Sequence, residues 1–577
     1  MEDKRLPFYA VGDIEASDWI DFVVLGFYDG SEYKTFRQIE KFIDYIDRKK
    51  YNRIKIYFHN GGKYDFLFFL EPLYKRSYKV SLLENAGRVI TIDVYTNNIH
   101  FTLIDSYSLL PQSLERLSES FNVEFKKIKF DFKTERVSVD NKKLMDHLEN
   151  DCKGLYDILG IYFRYEYVCS HKITIASQAL DTFRRKFLSF DLVKTRVEYE
   201  KVFRENFYSG GRVEVFKGYG KNINVYDVNS LYPFVMCEKM PVGECQKVRT
   251  FKKNKIGFYS IDLLKSPEFY ISPFLVRLPY KNFFVNGKGT YYLSSHTLNY
   301  LISEFGIKFS VNYGYVFSGS EYLFNDYVKY FFDIKNNAGD DSATRVIAKL
   351  FLNALYGKFG QRSDHFRIEN YNGQTKFMSF NDSPISEKFG LVLVPEKSKS
   401  KFILPYIAAY ITELARLHHF KLMMEKPESM FYCDTDSLFT SRRYDTGSNI
   451  GDLSFKGQGE CVFLSNKSYA IRSGGETEIK LKGFTVKDFT FRKFLSILKH
   501  SGELRETRTK ILSYRECFTR RKGIIKESGI FLKLVNMEKS TFGLYDKRRL
   551  KKSKRYIFNS TPYSFDEVQS FKNKKKD

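Results

Sequence analysis

Residues 430–439 read MFYCDTDSLF, an apolar and aromatic run interrupted by two aspartates, Asp434 and Asp436. Short apolar runs of this kind indicate buried β-strands, and the break between the two halves predicts a hairpin. Because side chains two residues apart in a strand point the same way, we expect both carboxylates to reach one locus. An isolated Asp-x-Asp pair is usually a turn or a surface pair, so the weight of this one rests on its apolar frame and on motifs elsewhere in the chain.

A matching aspartate, Asp227, follows the apolar run Ile223–Tyr226 and opens residues 227–236, DVNSLYPFVM. Acidic residues at strand ends are where α/β folds commonly hold ligands. Mg²⁺ prefers carboxylate and phosphate oxygens, and two such ions about 4 Å apart clamp the attacking and leaving oxygens of a phosphoryl transfer. These aspartates therefore predict a Mg²⁺-dependent phosphoryl-transfer site, in which we expect Mn²⁺ to substitute.

A helical segment between these strands, residues 349–360 (KLFLNALYGKFG), places Lys349, Asn353 and Tyr356 at positions i, i+4 and i+7. Side chains at this spacing share one helix face. A cation, an amide and an aromatic ring on one face suit a nucleoside triphosphate, with Lys349 on its phosphates and Tyr356 beside the nascent base pair. The alternative is an ordinary amphipathic helix with a chance lysine.

The amino-terminal part carries a separate acidic set in three short motifs. Asp13 and Glu15 follow a strand pattern. Asp65 lies within residues 58–69 (FHNGGKYDFLFF), and Asp151 lies in a helical pattern. Four carboxylates can hold two metal ions that activate water for phosphodiester cleavage. Each motif alone is ordinary surface chemistry, and their order ahead of the other motifs gives them meaning.

In this order, the motifs resemble those of the family B DNA polymerases, and most closely the small protein-primed branch of linear phages and linear plasmids. The resemblance runs from Tyr9 to Gly483. It implies a multidomain α/β chain with an RNase H-like 3′→5′ exonuclease domain and a right-hand polymerase of palm, fingers and thumb. The implied activity is template-directed, DNA-dependent DNA synthesis from dNTPs, a nucleotidyltransferase reaction, with proofreading.

The resemblance assigns roles at the polymerase site. Asp227 and Asp436 would ligate both catalytic metals, with Asp434 beside them. Tyr232 would exclude a ribose 2′-hydroxyl, because a ring packed under the sugar leaves no room for the extra oxygen. The chain departs from the family at Ala354, where serine is usual, and we expect an effect on nucleotide affinity rather than on the chemistry. The residues implied for nucleotide binding are Val228, which would also contact metal, Tyr232, Lys349, Asn353 and Tyr356.

At the exonuclease site, the resemblance implies that metal binding and catalysis belong to four residues, Asp13, Glu15, Asp65 and Asp151. The third exonuclease motif normally carries a tyrosine four residues before its aspartate, to orient the attacking water. Here that position is His147, which can donate a hydrogen bond but titrates near neutrality. We therefore expect proofreading with an altered rate or pH dependence.

Short motifs imply contacts with DNA. The run Tyr208-Ser-Gly210-Gly211 resembles the Tyr-x-Gly-Gly motif that couples the two domains on the template strand, and its glycines let backbone amides approach phosphates. Lys467-Ser-Tyr469 resembles the Lys-x-Tyr motif that holds the primer terminus. The further contacts implied are Lys480 at the primer and Asn60, Ser106 and Lys133 at the exonuclease site.

The resemblance also divides the chain. The exonuclease domain takes residues 1–190 and the polymerase domain 191–577, with the palm at 200–236 and 402–483, the fingers at 335–360, and the thumb and basic tail at 484–577. Two insertions, 237–334 and 361–401, occupy the places of terminal-protein regions one and two of the protein-primed branch. The alternative is that they are lineage-specific loops, since long surface loops are tolerated.

Composition favours a nucleic-acid partner. The 94 lysines and arginines outnumber the 69 aspartates and glutamates, and this net charge of +25 attracts polyanions by counterion release. Ribosomal proteins, heparin binders and membrane-surface proteins are basic too, so charge alone does not decide. Seven scattered cysteines without a Cys-x-x-Cys pair predict neither a zinc site nor a disulfide framework. No apolar run is long enough to cross a bilayer, so we expect no membrane partner.

We expect a monomer that binds a DNA template and primer, and a separate terminal protein whose hydroxyl primes replication of a linear DNA genome or plasmid. One alternative is a repair or replicative polymerase without protein priming. A reverse transcriptase and a basic DNA-binding protein with relic motifs are others, and the intact Asp13 and Glu15 set argues against both. The amino terminus resembles no secretory signal or transit peptide. We expect the protein to work in the compartment where it is made. That compartment is the mitochondrion if an organellar plasmid encodes it, or the host cytoplasm if a virus does.

Overall fold

A computed structural model describes the chain over residues 8–573, apart from positions 77, 86, 280, 341, 362–363, 371–390, 398–399, 401, 485–488, 501–504, 514–515, 517–524, 529–531, 541–546 and 552–558. The residues it describes form two large sheets, one for each acidic set, with smaller sheets around them. None of the helices within these ranges is long and apolar enough to span a bilayer.

The amino-terminal part is an α/β unit. Its strands are β1 (Tyr9–Ser17), β2 (Asp21–Tyr28), β3 (Tyr33–Phe36), β4 (Lys55–Phe58), β5 (Lys79–Asn85), β6 (Arg88–Tyr95) and β7 (His100–Asp105), and its helices are α1 (Ile39–Ile46), α2 (Phe66–Lys75), α3 (Leu114–Ser120) and α4 (Lys142–Arg164). β4 lies between β1 and β7 and is parallel to both, so the carboxyl ends of these strands meet at one sheet edge. α4 packs on β1 and β2, and its buried face includes His147 and Asp151. The first acidic set is therefore gathered at that edge.

The central part carries the second acidic set on an antiparallel sheet. Its first elements are α5 (Ile175–Lys186), α6 (Val197–Val202), β8 (Val213–Val215), β9 (Tyr219–Val228) and α7 (Leu231–Met236). Then come β10 (Met240–Val248), β11 (Gly257–Lys265), β12 (Leu275–Leu278), β13 (Lys281–Phe284), β14 (Gly289–Ser294), α8 (Ser295–Phe305), β15 (Lys308–Glu321), α9 (Asn325–Asn337) and α10 (Ala343–Phe359). The predicted first insertion thus folds as an antiparallel sheet in the order β10-β15-β11-β14, with β12 and β13 as a separate hairpin.

The remaining elements complete the sheet. They are β16 (Asp364–Asn370), β17 (Leu391–Lys397), α11 (Pro405–Met424), β18 (Met430–Asp434), β19 (Ser437–Thr440), β20 (Leu453–Ser465), β21 (Ser468–Ser473) and β22 (Glu476–Leu481). The central sheet has the order β22-β21-β20-β9-β19-β18-β8, so β19 joins the strands that end in the two aspartate motifs. β16 pairs with β5, with Arg367 opposite Leu83, and the predicted second insertion therefore extends the amino-terminal sheet.

The carboxyl-terminal segment docks on both large parts. Its elements are α12 (Phe491–His500), β23 (Arg505–Ile511), β24 (Ile525–Ser528), β25 (Leu532–Ser540), β26 (Arg549–Lys551), β27 (Asn559–Thr561) and α13 (Phe565–Asn573). Leu532 and Leu534 pack into the amino-terminal core. Arg548 is buried, lies 4.0 Å from Glu214 of β8, and donates to the Tyr270 carbonyl and the Ser560 hydroxyl.

Candidate active sites

The central aspartates, Asp227, Asp434 and Asp436, meet where β9, β18 and β19 end or begin. Ser437 pairs with Asp227 across β19 and β9. The Val228 N–H donates to the Asp436 carbonyl at 2.8 Å, which ties the two motifs together. Asp436 lies in the turn rather than in a strand, because Thr435 adopts φ 64° and reverses the chain. The expectation of two carboxylates side by side in one strand is therefore corrected to a strand end and a turn that face Asp227.

The three central aspartates differ in the charges around them. Asp434 is neutralised by Lys467, whose Nζ lies 2.7 and 2.6 Å from its two carboxylate oxygens. Asp436 is exposed, yet the surrounding protein removes enough water to raise its pKa to about 6, and the charge of Asp227 adds to the rise. Burial likewise raises the pKa of Asp227, against the charges of Lys456, Lys480 and Lys349. Asp227 and Asp436 are the pair whose oxygens suit a divalent cation.

The predicted nucleotide face of α10 exists as one surface. Lys349 and Asn353 are exposed on it, and Tyr356 is half-buried. The Tyr356 ring stacks on Tyr232, with ring centroids 4.5 Å apart and planes 13° from parallel. This stack joins the helix to the segment after Asp227.

Two lysines that the motifs did not reveal join this face. Lys335 Nζ lies 3.4 Å from the Ser230 hydroxyl, and burial lowers the pKa of Lys335, with Arg345 and Lys456 adding to the effect. Lys456 also acts on Asp227. Because these lysines come from α9 and β20, no local spacing could have indicated them. Together with Lys349 they form the lysine face, a group of neighbouring cations close to Asp227.

The Tyr208–Gly211 segment is held against the central aspartates. A Cβ on Gly211 would lie 2.7 Å from the Thr435 side chain, so only glycine allows this approach. The Thr435 N–H donates to the Arg212 carbonyl at 2.7 Å. Arg416 of α11, which the motifs did not indicate, donates to the carbonyls of Ser209 and Gly210 at 2.5 and 3.0 Å. The side of Gly210 where a Cβ would stand is open.

The expected primer contacts lie on β21 and β22 and in the turn before β21. Tyr469 is buried, and Lys480 Nζ lies 5.7 Å from the centre of its ring. Lys467 itself is exposed and adopts φ 58°. Lys467 pairs with Asp434 and the charge of Lys480 acts on Asp227, so this segment lies beside the central aspartates.

The amino-terminal carboxylate cluster consists of Asp13, Glu15, Asp65 and Asp151. All are buried except the half-buried Asp13. Burial together with the charge of Asp151 raises the pKa of Asp13 to about 7, and burial together with Asp13 raises that of Glu15 to about 9. The pKa of Asp65 is raised well above its ordinary value by the same causes. Raised pKa values of this kind favour the protonated carboxyl groups, and nearby cations would favour the ionised ones.

Lys127 and His147 complete the cluster. Lys127 Nζ pairs with the Asp151 carboxylate. His147 Nδ1 donates to the Ile128 carbonyl, and Nε2 lies 3.4 Å from Glu15 and 3.7 Å from Asp151. No three His, Cys, Asp or Glu side chains of the described chain stand close enough together to hold a metal as they are.

The three residues expected to contact single-stranded DNA lie in different surroundings. Asn60 accepts from Arg88 and has φ 64°. Ser106 is fully buried, where it donates to the Phe58 carbonyl and lies 3.0 Å from His59 Nδ1, so its hydroxyl is occupied inside the protein. Lys133 is exposed in a turn, and the lysine that the fold brings to the carboxylates is Lys127.

The sequence of the chain is similar to those of known proteins. The family described as DNA polymerase type B, organellar and viral, matches residues 46–147 and 138–449. The chain belongs to this family. A probable DNA polymerase of Podospora anserina is 27% identical over 526 residues, 73% of this chain and 43% of the relative. The DNA-directed DNA polymerase of Enterobacteria phage PRD1 is 25% identical over 480 residues, covering 78% of this chain and 79% of that protein.

The fold is shared with a solved structure. The phi29 DNA polymerase in an orthorhombic crystal form superposes with a TM-score of 0.72 at 19% identity, over 93% of this chain and 99% of that one. This match confirms the expected multidomain α/β fold class. The predicted domain limits stay predictions. This chain spans 43% and 58% of the lengths of the relatives from Podospora anserina and Neurospora intermedia.

Proposed function

We propose that the chain is a template-directed DNA polymerase that adds dNTPs to a primer. The observation that carries the proposal is the placement of Asp227 and Asp436 together, near the lysine face and the stacked rings of Tyr232 and Tyr356. A nucleoside triphosphate needs this arrangement, because carboxylates hold its divalent cations while lysines meet its phosphates. Family membership supports the same conclusion.

In the proposed reaction, the primer 3′-hydroxyl attacks the α-phosphate of the dNTP and pyrophosphate leaves. Two Mg²⁺ ions, when bound, supply charge stabilisation at the attacking and leaving oxygens, and Mn²⁺ is expected to substitute. Asp227 and Asp436 hold these ions, with the Val228 carbonyl as a further oxygen. The lysine face neutralises the triphosphate, and Tyr232 closes the space beneath the sugar.

We also propose 3′→5′ proofreading at the amino-terminal carboxylate cluster. Its support is the excess of buried carboxylates over cations, which fits two divalent ions. His147 occupies the place of the water-orienting tyrosine. Because Nδ1 donates to the Ile128 carbonyl, the neutral ring presents Nε2 as an acceptor toward Glu15.

The proposed partners are primer–template DNA and a terminal protein that supplies the first hydroxyl. Structures of phi29 DNA polymerase include complexes with single-stranded DNA and with primer-template DNA and incoming nucleotides. Protein priming is supported by the folded sheet of the first insertion, which is more than a loop. Relatives from fungi and from phages leave an organellar and a viral setting both compatible.

The test uses the full chain with Mg²⁺, dNTPs and a primed single-stranded DNA. We expect Asp227→Asn to abolish extension and keep primer degradation, and Asp13→Ala to do the reverse. An unmodified chain that neither extends nor degrades DNA would refute the proposal. Labelling of a candidate terminal protein by a dNTP, without a DNA primer, separates protein priming from extension of ordinary primers. An RNA template in a parallel reaction tests the reverse-transcriptase alternative.

A further inference from the structure

Trp19 is the single tryptophan of the chain and stands on the surface. It lies in the turn between β1 and β2, with 65% of its side chain exposed. Large aromatic side chains usually contribute to a core or to an interface, since leaving them in water forfeits their burial. None of the motifs or roles described above accounts for this residue.

The backbone holds the indole in that position. Asp18 and Trp19 have φ values of 48° and 67°, in the left-handed region that bulky residues rarely adopt. The turn is closed on both sides: Ser17 pairs with Asp21, and the Ile20 N–H donates to the Ser17 carbonyl at 3.2 Å. Ile20 takes the buried position of the turn. A strained conformation kept in this way presents Trp19 outward.

The indole stands beside the amino-terminal carboxylate cluster. Its ring meets the Tyr64 ring edge-on, with centroids 6.0 Å apart and planes at 75°. Tyr64 directly precedes Asp65, and burial together with the carboxylates of Asp65 and Glu15 raises the pKa of its hydroxyl. Tyr64 thus links the exposed indole to the cluster, and the neighbouring Lys63 is exposed to solvent. One wall of the approach to the carboxylates is therefore aromatic, with a cation at its rim.

We propose that Trp19 stacks on an unpaired base of a single-stranded DNA 3′ end that enters the amino-terminal carboxylate cluster. This inference rests on the proposed proofreading function and adds a binding residue to it. An exposed, fixed aromatic ring offers a stacking platform for any base, since every base has a π-face, and a nearby lysine meets the phosphate backbone. Both strands of a paired primer end have their bases stacked already, so the platform favours a frayed end.

The single tryptophan makes the contact directly measurable. In the full chain carrying Asp13→Ala, with EDTA to prevent cleavage, we expect the fluorescence of Trp19 to be quenched, saturably, by an oligothymidylate. A blunt duplex of equal length should quench it far less. Absence of a fluorescence change at concentrations where the oligonucleotide is bound, as measured by its anisotropy, would overturn the proposal.

Degradation kinetics give an independent readout. We expect Trp19→Ala to lower kcat/KM for single-stranded DNA degradation about tenfold, mainly through KM, and Trp19→Phe to restore most of it. Tyr322→Ala removes an aromatic ring of similar exposure from the first insertion and serves as the matched control, with degradation unchanged. Equal loss in the Ala and Phe variants, or loss in kcat alone, would contradict stacking. If the unmodified chain degrades no DNA while fluorescence still responds, the proofreading function fails and the contact stands.

Discussion

Both acidic sites are built from carboxylate side chains, and they differ in the cations that neutralise those carboxylates. Among the central aspartates, Lys467 pairs with Asp434, and Lys349 and Lys456 of the lysine face act on Asp227. The amino-terminal carboxylate cluster is enclosed, and Lys127 meets a set of carboxylates that outnumber it. A triphosphate brings far more negative charge than a phosphodiester, so a site for the first carries cations of its own. Under the proposed proofreading function, divalent ions would instead balance the charge of the cluster.

The largest expected effect distinguishes the three central aspartates from one another. We expect Asp227→Asn and Asp436→Asn to slow extension about a thousandfold, since each removes a charged oxygen ligand of the metals. Asp434→Asn should cost about tenfold, because the charge of Asp434 is already paired with Lys467. Single-turnover extension measures all three, with 3′→5′ degradation as the control. An Asp434→Asn loss as large as that of Asp436→Asn would end the distinction.

The second test concerns the lysine of the enclosed site. We expect Lys127→Ala to slow single-stranded DNA degradation about a hundredfold, because it removes the cation beside Asp151 where the scissile phosphate must sit. Lys133→Ala, six residues along and exposed, should stay near the unmodified rate. Primer extension monitors folding in both variants. The reverse ranking would return the role to Lys133.

The lysine face should affect nucleotide binding more than catalysis. We expect Lys335→Ala and Lys456→Ala each to raise the KM for dNTPs about tenfold with a smaller change in kcat, since the lysines act on phosphates in ground state and transition state alike. Lys255→Ala, on an exposed loop of the first insertion, is the charge-matched control. Unchanged KM in both lysine-face variants would show that these lysines serve the structure rather than the substrate.

The smallest expected effect is on stability. Asp13 and Glu15 have pKa values raised to about 7 and about 9, so their protonated forms stabilise the fold without metal. That stabilisation is complete below the unfolded pKa values and is lost as the pH rises through 7 and then 9. In EDTA we expect the Tm to be about 5 °C lower at pH 9 than at pH 6, and Mg²⁺ to reverse most of the loss. Thermal unfolding followed by circular dichroism checks this, and Asp13→Asn with Glu15→Gln should flatten the trend.

The sequence predicted elements with strong periodicity. The helical pattern around Asp151 is part of α4, and the predicted helical segment 349–360 lies in α10, which ends at Phe359. The aspartates at strand ends were also visible, because an apolar run that stops at an acid is a local signal.

The features that the sequence did not predict depend on contacts that the local pattern does not contain. Lys127 and Lys133 lie in one irregular loop rich in lysine, and only packing against α4 decides which of them turns inward. The pairing of β16 with β5 joins residues far apart in the chain, and periodicity cannot indicate it. The place of Asp436 in the turn follows from the left-handed Thr435, which has no marker in the sequence.

The burial of Arg548 beside β8 sets an order of events during synthesis. Glu214 and both acidic sites leave the ribosome long before Arg548, which comes more than a hundred residues after Asp436. At typical elongation rates that delay is on the order of ten seconds. Until then the face of β8 that Arg548 and Ser560 cover remains open to water. A nascent chain thus contains every acidic residue of both sites before the packing of Arg548 and Ser560 on β8 is complete.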